Sequence, residues 1–346
     1  MPIEIAANLP VLFAALVAFC VVVYVLADGF DIGVGILLLL APRPAERDMM
    51  LASVEPTWDG NETWLVMGGV LLLATFPAGY YVLLPAFYLP IIFMLFALVM
   101  RGVAFGFRQE SVDLQRVWDV VFAGGSLVAA LCQGIVLGGL ITGVTMRNGA
   151  FAGGTFDFLT PLGLACGLGL VGGYALLGAG WLIMKTGGQT QLFAREVAHS
   201  ALILTAAMLC TVSGLSALLV PEVAARWISW PDSLWLAPAP IVTAVALVTA
   251  WRRIWTGRDG LLFLMGLVVF AMGFVGLVAS LWPYVVPRHV TIWDGVADRQ
   301  SLVFIGVGVA CVLPVVLAYQ AHAYRVFRGK VRPGQGYGAA ASASEP

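Results

Sequence analysis

Residues 11–41 read VLFAALVAFCVVVYVLADGFDIGVGILLLLA, a run whose only charged residues are the carboxylates Asp28 and Asp31. About 20 apolar residues suffice for a helix to cross ~30 Å of hydrocarbon. The run, drawn at 9–41, therefore predicts a transmembrane helix with length left over for tilt or for emergence at one end. The rest of the chain has the same character. Of 346 residues 61% are hydrophobic and only 11% charged, against about 25% charged in soluble domains. The fold class is accordingly read as all-α, a polytopic integral membrane protein. With 18 Lys and Arg against 19 Asp and Glu, the near-zero net charge argues against a nucleic-acid partner.

Eight further apolar segments follow at 58–76, 79–100, 117–145, 158–184, 197–220, 235–255, 260–285 and 301–326, giving about nine transmembrane helices. The second and third are expected to form a helical hairpin turning at Pro77, Ala78 and Gly79. A β-barrel is excluded, because its strands would alternate over about ten residues. Fourteen of the 18 cations, among them Arg43, Arg47, Arg101, Arg108, Lys185, Arg252 and Arg328, fall on one side of this layout. Only Arg147, Arg226, Arg288 and Arg299 fall on the other. The positive-inside rule then puts the N-terminus outside and the C-terminus in the cytoplasm. Tryptophans such as Trp58, Trp118, Trp227 and Trp282 gather near segment ends, as an aromatic belt does. Residues 1–332 read as a single helical-bundle domain, and the Gly/Ala/Ser-rich 333–346, PGQGYGAAASASEP, as a disordered tail. The opening MPIEIAANLP lacks the basic flank of a signal peptide, so the first helix is expected to be retained. Cys20, Cys132, Cys166, Cys210 and Cys311 are widely spaced in apolar runs and suggest neither a metal site nor a disulfide framework.

Charge inside the bilayer needs a reason, at about 2.5–3.5 kcal/mol per carboxylate on insertion scales. Asp28 and Asp31 share one helix face at i, i+3, and Gly29, Gly33 and Gly35 beside them allow another helix to come close. Such a pair can hold and pass a proton, or can serve only as interhelical hydrogen-bonding groups. Trp58-Asp59-Gly60-Asn61-Glu62 opens the second segment at the expected cytoplasmic end. Glu55, Asp59 and Glu62, then Asp31, then Asp28, form a stepped line inward, although Asp59 and Glu62 also suit a helix N-terminus on dipole grounds alone. Arg101, ending the third segment, is placed at the depth of Asp59 and Glu62 as their candidate charge partner, or as an ordinary positive-inside arginine. His199, His289 and His322 all lie near segment ends, so no haem-ligating pair is expected within this chain.

The stretches DGFDIGVG at 28–35, WDGNETW at 58–64, RGVAFGFR at 101–108 and WPYVVPRHVTIWDGVADRQSLVF at 282–304 together resemble subunit II of the cytochrome bd-type quinol oxidases. The resemblance spans residues 28 to about 304. It implies a heterodimer in the bacterial cytoplasmic (inner) membrane. In that family a haem-bearing subunit I carries two b-type haems and one d-type haem and the ubiquinol site. Subunit II is haem-free and needed for assembly, and a structural quinone and a small accessory transmembrane subunit occur in some members. The resemblance further implies that quinol is oxidised and dioxygen reduced to water at the partner. Protons for that reduction come from the cytoplasm along a path that includes Asp31 and Asp59, with Asp28, Glu62 and Asn61 beside them. One departure is Gly106, where many members of the family carry an acidic residue, which weakens any role for the third motif in proton transfer. No residue of this chain is expected to be catalytic or to bind a metal or cofactor. Two other readings remain open on the residues alone, a proton- or ion-coupled secondary transporter and a purely structural assembly subunit.

Overall fold

The structure is a computed structural model describing residues 2–256 and 258–332. The expected disordered tail, 333–346, lies outside the described residues. Thirteen helices account for nearly all of the fold: α1 (Pro2–Leu38), α2 (Pro44–Val54), α3 (Trp58–Thr75), α4 (Pro77–Ala86), α5 (Tyr88–Glu110), α6 (Gln115–Thr142), α7 (Pro161–Lys185), α8 (Gly188–Leu219), α9 (Pro221–Ile228), α10 (Asp232–Leu236), α11 (Pro238–Arg253), α12 (Leu261–Leu281) and α13 (Arg299–Val326). All nine expected segments are helical. Eight helices among the described residues are long and apolar enough to cross a membrane. The remaining segment, α3, falls short because Asp59, Asn61 and Glu62 lie among its first five residues. The chain is an all-α, multi-pass membrane protein.

Two local expectations change. The second and third segments do not meet in a tight turn. Pro77 starts the separate helix α4, since proline suits a first helical position, and a break at Phe87 precedes α5. Helix α5 then runs on to Glu110, well past the expected end at residue 100. The loops also hold two small antiparallel hairpins, β1 (Met146–Arg147) with β2 (Ala150–Phe151), and β3 (Tyr284–Val286) with β4 (Val290–Thr291). Asn148-Gly149 turns the first with φ of 52° and 80°, the left-handed geometry that an Asn-Gly hairpin favours. Both hairpins sit at the end opposite α2, where Arg288 ties them to the helices by donating to the Thr142 carbonyl and pairing with Glu222 at 3.5 Å.

Helix α7 is the centre of the bundle and is buried along most of its length, whereas on α13 only Leu302 is fully buried. Its glycines explain why. A Cβ at Gly33 of α1 would overlap the Tyr174 carbonyl, one at Gly178 would overlap the Gly33 backbone, and Gly134 and Gly138 of α6 meet Gly167 and Gly163 in the same way. Without a large hydrophobic drive inside lipid, such close backbone packing is what holds helices together. The main core surrounds the α2 end of α1 and α7, from Phe30 and Leu38 through Met50 and Phe122 to Trp181 and Leu182. A smaller apolar cluster of Phe13, Phe76, Ile292 and Leu302 fills the opposite end between α1, α3 and α13. At the α2 end, residues 327–331 lie across α7. Lys185 donates to the Phe327 carbonyl, Val331 N–H donates to the Lys185 carbonyl at 2.8 Å, and Lys330 pairs with Asp259 at 2.7 Å.

Candidate functional site

After an apolar stretch from Leu9 to Ala27, α1 carries Asp28-Gly-Phe-Asp31 about three-quarters of the way along its length. Both carboxylates are buried, at 1% and 0% exposure. Their i, i+3 spacing keeps them on one side of the helix but aims them at different neighbours. Asp31 faces α3 and α13. Its Oδ2 accepts from Asn61 Nδ2 at 2.7 Å, and the same Nδ2 donates to the Ala27 carbonyl at 3.2 Å. The Asn61 Oδ1 in turn accepts from Gln320 Nε2 at 2.9 Å and from the Tyr324 hydroxyl at 2.8 Å, while Trp64 Nε1 donates to Gln320 Oε1 at 2.6 Å. Asn61 thus has its amide fully engaged. Asp31 Oδ1 is buried and has no hydrogen-bond partner among the described residues. A small pocket lined by Thr57, Gly60, Asn61, Gln320 and Tyr324 lies alongside.

Asp28 faces α5. Arg101, itself 1% exposed, approaches it with Nη1 at 3.4 Å from both oxygens and Nη2 at 3.3 Å from Oδ1. The guanidinium also lies 5.5 Å from the Phe122 ring centroid, and Gly125 leaves room for its stem. These are long contacts for a charge-assisted pair, and the Arg101 Nε finds no partner. The expected pairing of Arg101 with Asp59 and Glu62 is replaced by the pair with Asp28. The reason is the extra length of α5: Arg101 sits nine residues before its end, about 13 Å deep at the helical rise, rather than at the rim.

The remaining acids stand outside this cluster. Glu62 is half-buried and within electrostatic reach of Asp28, Arg101 and Asp59. Asp59 is exposed, and Glu55 accepts from Gln109 at the α2 end. Gly106 faces open space. Three groups were not singled out in the sequence. Gln320 and Tyr324 stand one turn apart on the last apolar segment, a spacing that could have marked them. Gln133 is the lone amide of its segment, and links Tyr24 to Tyr174. At the α2 end, Asp119 is bridged by Arg47 at 2.9 Å and Arg108 at 2.6 Å, and Arg108 also binds Asp48 at 2.7 Å. That network gives the second arginine of the third motif a packing role between α2, α5 and α6.

The histidines are dispersed. His199 lies against Trp251 with ring centroids 4.2 Å apart, His289 meets the Val144 carbonyl at 3.1 Å at the opposite end, and His322 is exposed on α13. Among the described residues no group of three or more His, Cys, Asp or Glu could hold a metal.

Fold and site define a helical membrane protein organised around a buried carboxylate–guanidinium cluster. The chain belongs to the cytochrome bd terminal oxidase subunit II family, whose model matches residues 9–327. It is 27% identical to a cytochrome bd-I ubiquinol oxidase subunit 2 of Escherichia coli (strain K12), over 91% of this chain and 93% of that one. It is also 27% identical to a cytochrome bd ubiquinol oxidase subunit 2 of Bacillus subtilis (strain 168), over 94% and 97%. The fold matches a chain of the bd oxidase structure from Geobacillus thermodenitrificans with a TM-score of 0.72 at 20% identity, over 92% of this chain and 98% of that one. The family is that of a terminal oxidase complex, and complexes of this family contain haems.

Proposed function

We propose that this chain is the haem-free subunit II of a bd-type ubiquinol oxidase in the bacterial inner membrane. It pairs there with a haem-bearing subunit I that holds two b-type haems and one d-type haem. It supports assembly of that partner and supplies part of the cytoplasmic proton route for reduction of dioxygen to water. Nine membrane crossings with the N-terminus outside put α2, Asp59 and Glu62 on the cytoplasmic side.

The observation that carries the proton route is Asp31. It is wholly buried, Asn61 fixes one oxygen, and the other, Oδ1, is unpartnered. A buried charged oxygen without a partner is costly, and binding a proton there removes that cost. Asp59 at the exposed rim and half-buried Glu62 gather protons. The pocket beside Asn61 gives water a place next to the cluster. Asp31 Oδ1 takes the proton, and Asp28, held by Arg101, is the next carboxylate inward. Asn61, fixed by Gln320 and Tyr324, carries no proton and instead orients Asp31.

Oxygen consumption per haem by the purified complex tests this reading with Asp31→Asn and Asp59→Asn. Asp31→Asn is expected to slow turnover by about 100-fold, the lower end of the range for a proton-transfer group, with haem content unchanged. Full turnover in both variants at normal haem content would show the carboxylates to be only structural.

A further inference from the structure

Asn61 and Trp64 stand one turn apart on α3, and a single side chain of α13 spans them. Trp64 Nε1 donates to Gln320 Oε1 at 2.6 Å, and Gln320 Nε2 donates to Asn61 Oδ1 at 2.9 Å. The chain continues from Asn61 Nδ2 to Asp31 Oδ2 at 2.7 Å and to the Ala27 carbonyl at 3.2 Å. Every link is a direct contact, and together they have a sense that the two amides do not choose for themselves. A carboxamide offers an oxygen and an NH2 of nearly the same shape and can sit either way round. An indole N–H can only donate. Trp64 is 0% exposed, so its N–H has no bulk water to turn to and Gln320 must meet it with oxygen. The Gln320 NH2 then points at Asn61, which must meet it with oxygen in turn. That leaves the Asn61 NH2 for α1, where the Ala27 carbonyl, which can only accept, agrees. The Tyr324 hydroxyl also donates to Asn61 Oδ1, at 2.8 Å. A hydroxyl can rotate to suit either arrangement, so Tyr324 follows the sense of the chain rather than setting it. Phe19 of α1 holds the Trp64 ring edge to face, with centroids 5.6 Å apart at 87°.

This sense decides where Asp31 can carry a proton. With the Asn61 NH2 facing Oδ2, a proton on Oδ2 would set two donors against each other. Oδ1, buried and without a partner among the described residues, is the oxygen that remains. We propose that Trp64 and Gln320 are positioning residues that act through Asn61 to hold Asp31 with Oδ2 as an acceptor and Oδ1 as its only proton-carrying oxygen. Neither side chain touches Asp31 and neither carries the proton. The inference rests on the proton-route reading and adds residues of α3 and α13 to it.

The test uses the whole purified complex. Oxygen consumption per haem, and the infrared difference spectrum between oxidised and reduced states, are measured for Trp64→Phe, Gln320→Met, the two combined, and Asp31→Asn as reference. The carboxyl C=O band that Asp31→Asn removes belongs to protonated Asp31. With the proton on Oδ1 that C=O is Oδ2, and donation from Asn61 holds its stretch at low frequency. Trp64→Phe removes the donor that starts the chain and keeps a ring against Phe19, while Gln320→Met removes the link. Each is expected to slow turnover about fivefold at normal haem content, the worth of one neutral hydrogen bond, and to move the band to higher frequency. The combined variant is expected to be about fivefold slow as well, rather than the ~25-fold of independent effects, because Trp64 acts only through Gln320. Unchanged turnover in both single variants overturns the inference. So does slower turnover with an unmoved band, which marks a packing role, and so do effects that multiply in the combined variant. If Asp31→Asn keeps full turnover or removes no carboxyl band, the proton route itself fails and the inference with it. If Asp31→Asn is slow and removes the band while the other variants leave rate and band unchanged, only the role of Trp64 and Gln320 fails.

Discussion

Asp28→Asn should destabilise this protein more than its one-atom change suggests. The substitution leaves the Arg101 guanidinium, 1% exposed, without its ion-pair partner. Arginine cannot shed its proton to escape the site. Removing one member of a buried pair typically costs about 3–5 kcal/mol, whereas replacing both members with groups of similar volume is often neutral. Asp31 and Glu62 are within electrostatic reach of the same guanidinium, and the contacts to Asp28 are long. The lower end, about 3 kcal/mol, is therefore expected for the single variant. Asp28→Asn combined with Arg101→Met should recover most of that loss. Thermal unfolding of the purified complex, followed by circular dichroism and retained haem absorbance, measures both. The double variant should regain stability but not oxygen consumption, because it has lost a carboxylate of the proposed route. A single variant as stable as the parent, or a double variant no better than the single, refutes the reasoning.

Other substitutions bear on separate parts of the molecule. Gly33→Val drives a side chain into the Tyr174 carbonyl and should cost about 3 kcal/mol or more through overpacking, read as loss of assembled complex per cell. Asp59→Asn, at the exposed rim, should slow oxygen consumption by only about two- to threefold, since a surface carboxylate adds little local field. An effect matching Asp31→Asn would place it deeper than the fold does. Asp119→Asn weakens the bridges to Arg47 and Arg108 and should loosen α2, seen as faster proteolysis between residues 43 and 57. At Asp259, hydrogen bonding to Lys330 and the nearby Arg195 hold the carboxyl below its ordinary range. A lowered folded-state value contributes stability above the unfolded value near pH ~4 and loses it as pH falls through the folded value. Residues 327–331 should therefore stay protected down to about pH 4 and become cleavable by an acid-active protease only below it, whereas Asp259→Asn should expose them at neutral pH.

The helical plan was legible because its signal is composition over 20 or more residues, which no local detail can mask. The buried pair was legible for a related reason: a carboxylate has few explanations within a run such as 11–41. What escaped the sequence was depth and direction. Arg101 looked like a rim residue because apolar character fades at residue 100, yet α5 continues to Glu110 and carries it inward to Asp28. Asp59 and Asn61 were read together, but two residues on a helix differ by about 200° in facing. Only Asn61 turns into the bundle. The one-turn spacing of Gln320 and Tyr324 was a signal in the sequence, but their partner Asn61, and the role of Gln133, emerge only when α13 is set beside α3 and α6 beside α1 and α7, juxtapositions that pattern along one chain does not encode. The hairpins were missed at the scale of two- and three-residue strands, although Asn148-Gly149 carried the turn signal of the first.

The crossing of Gly33 with Gly178 has a mechanical consequence. Side-chain contacts yield through changes of rotamer, but backbone lying on backbone has none to change. Helix α1 is therefore pinned to α7 two residues beyond Asp31 and can neither slide nor roll there without lifting off. Asp28 and Asp31 keep a fixed depth and azimuth, like graduations on a rigid scale, and motion at this site is left to protons, waters and the ends of side chains.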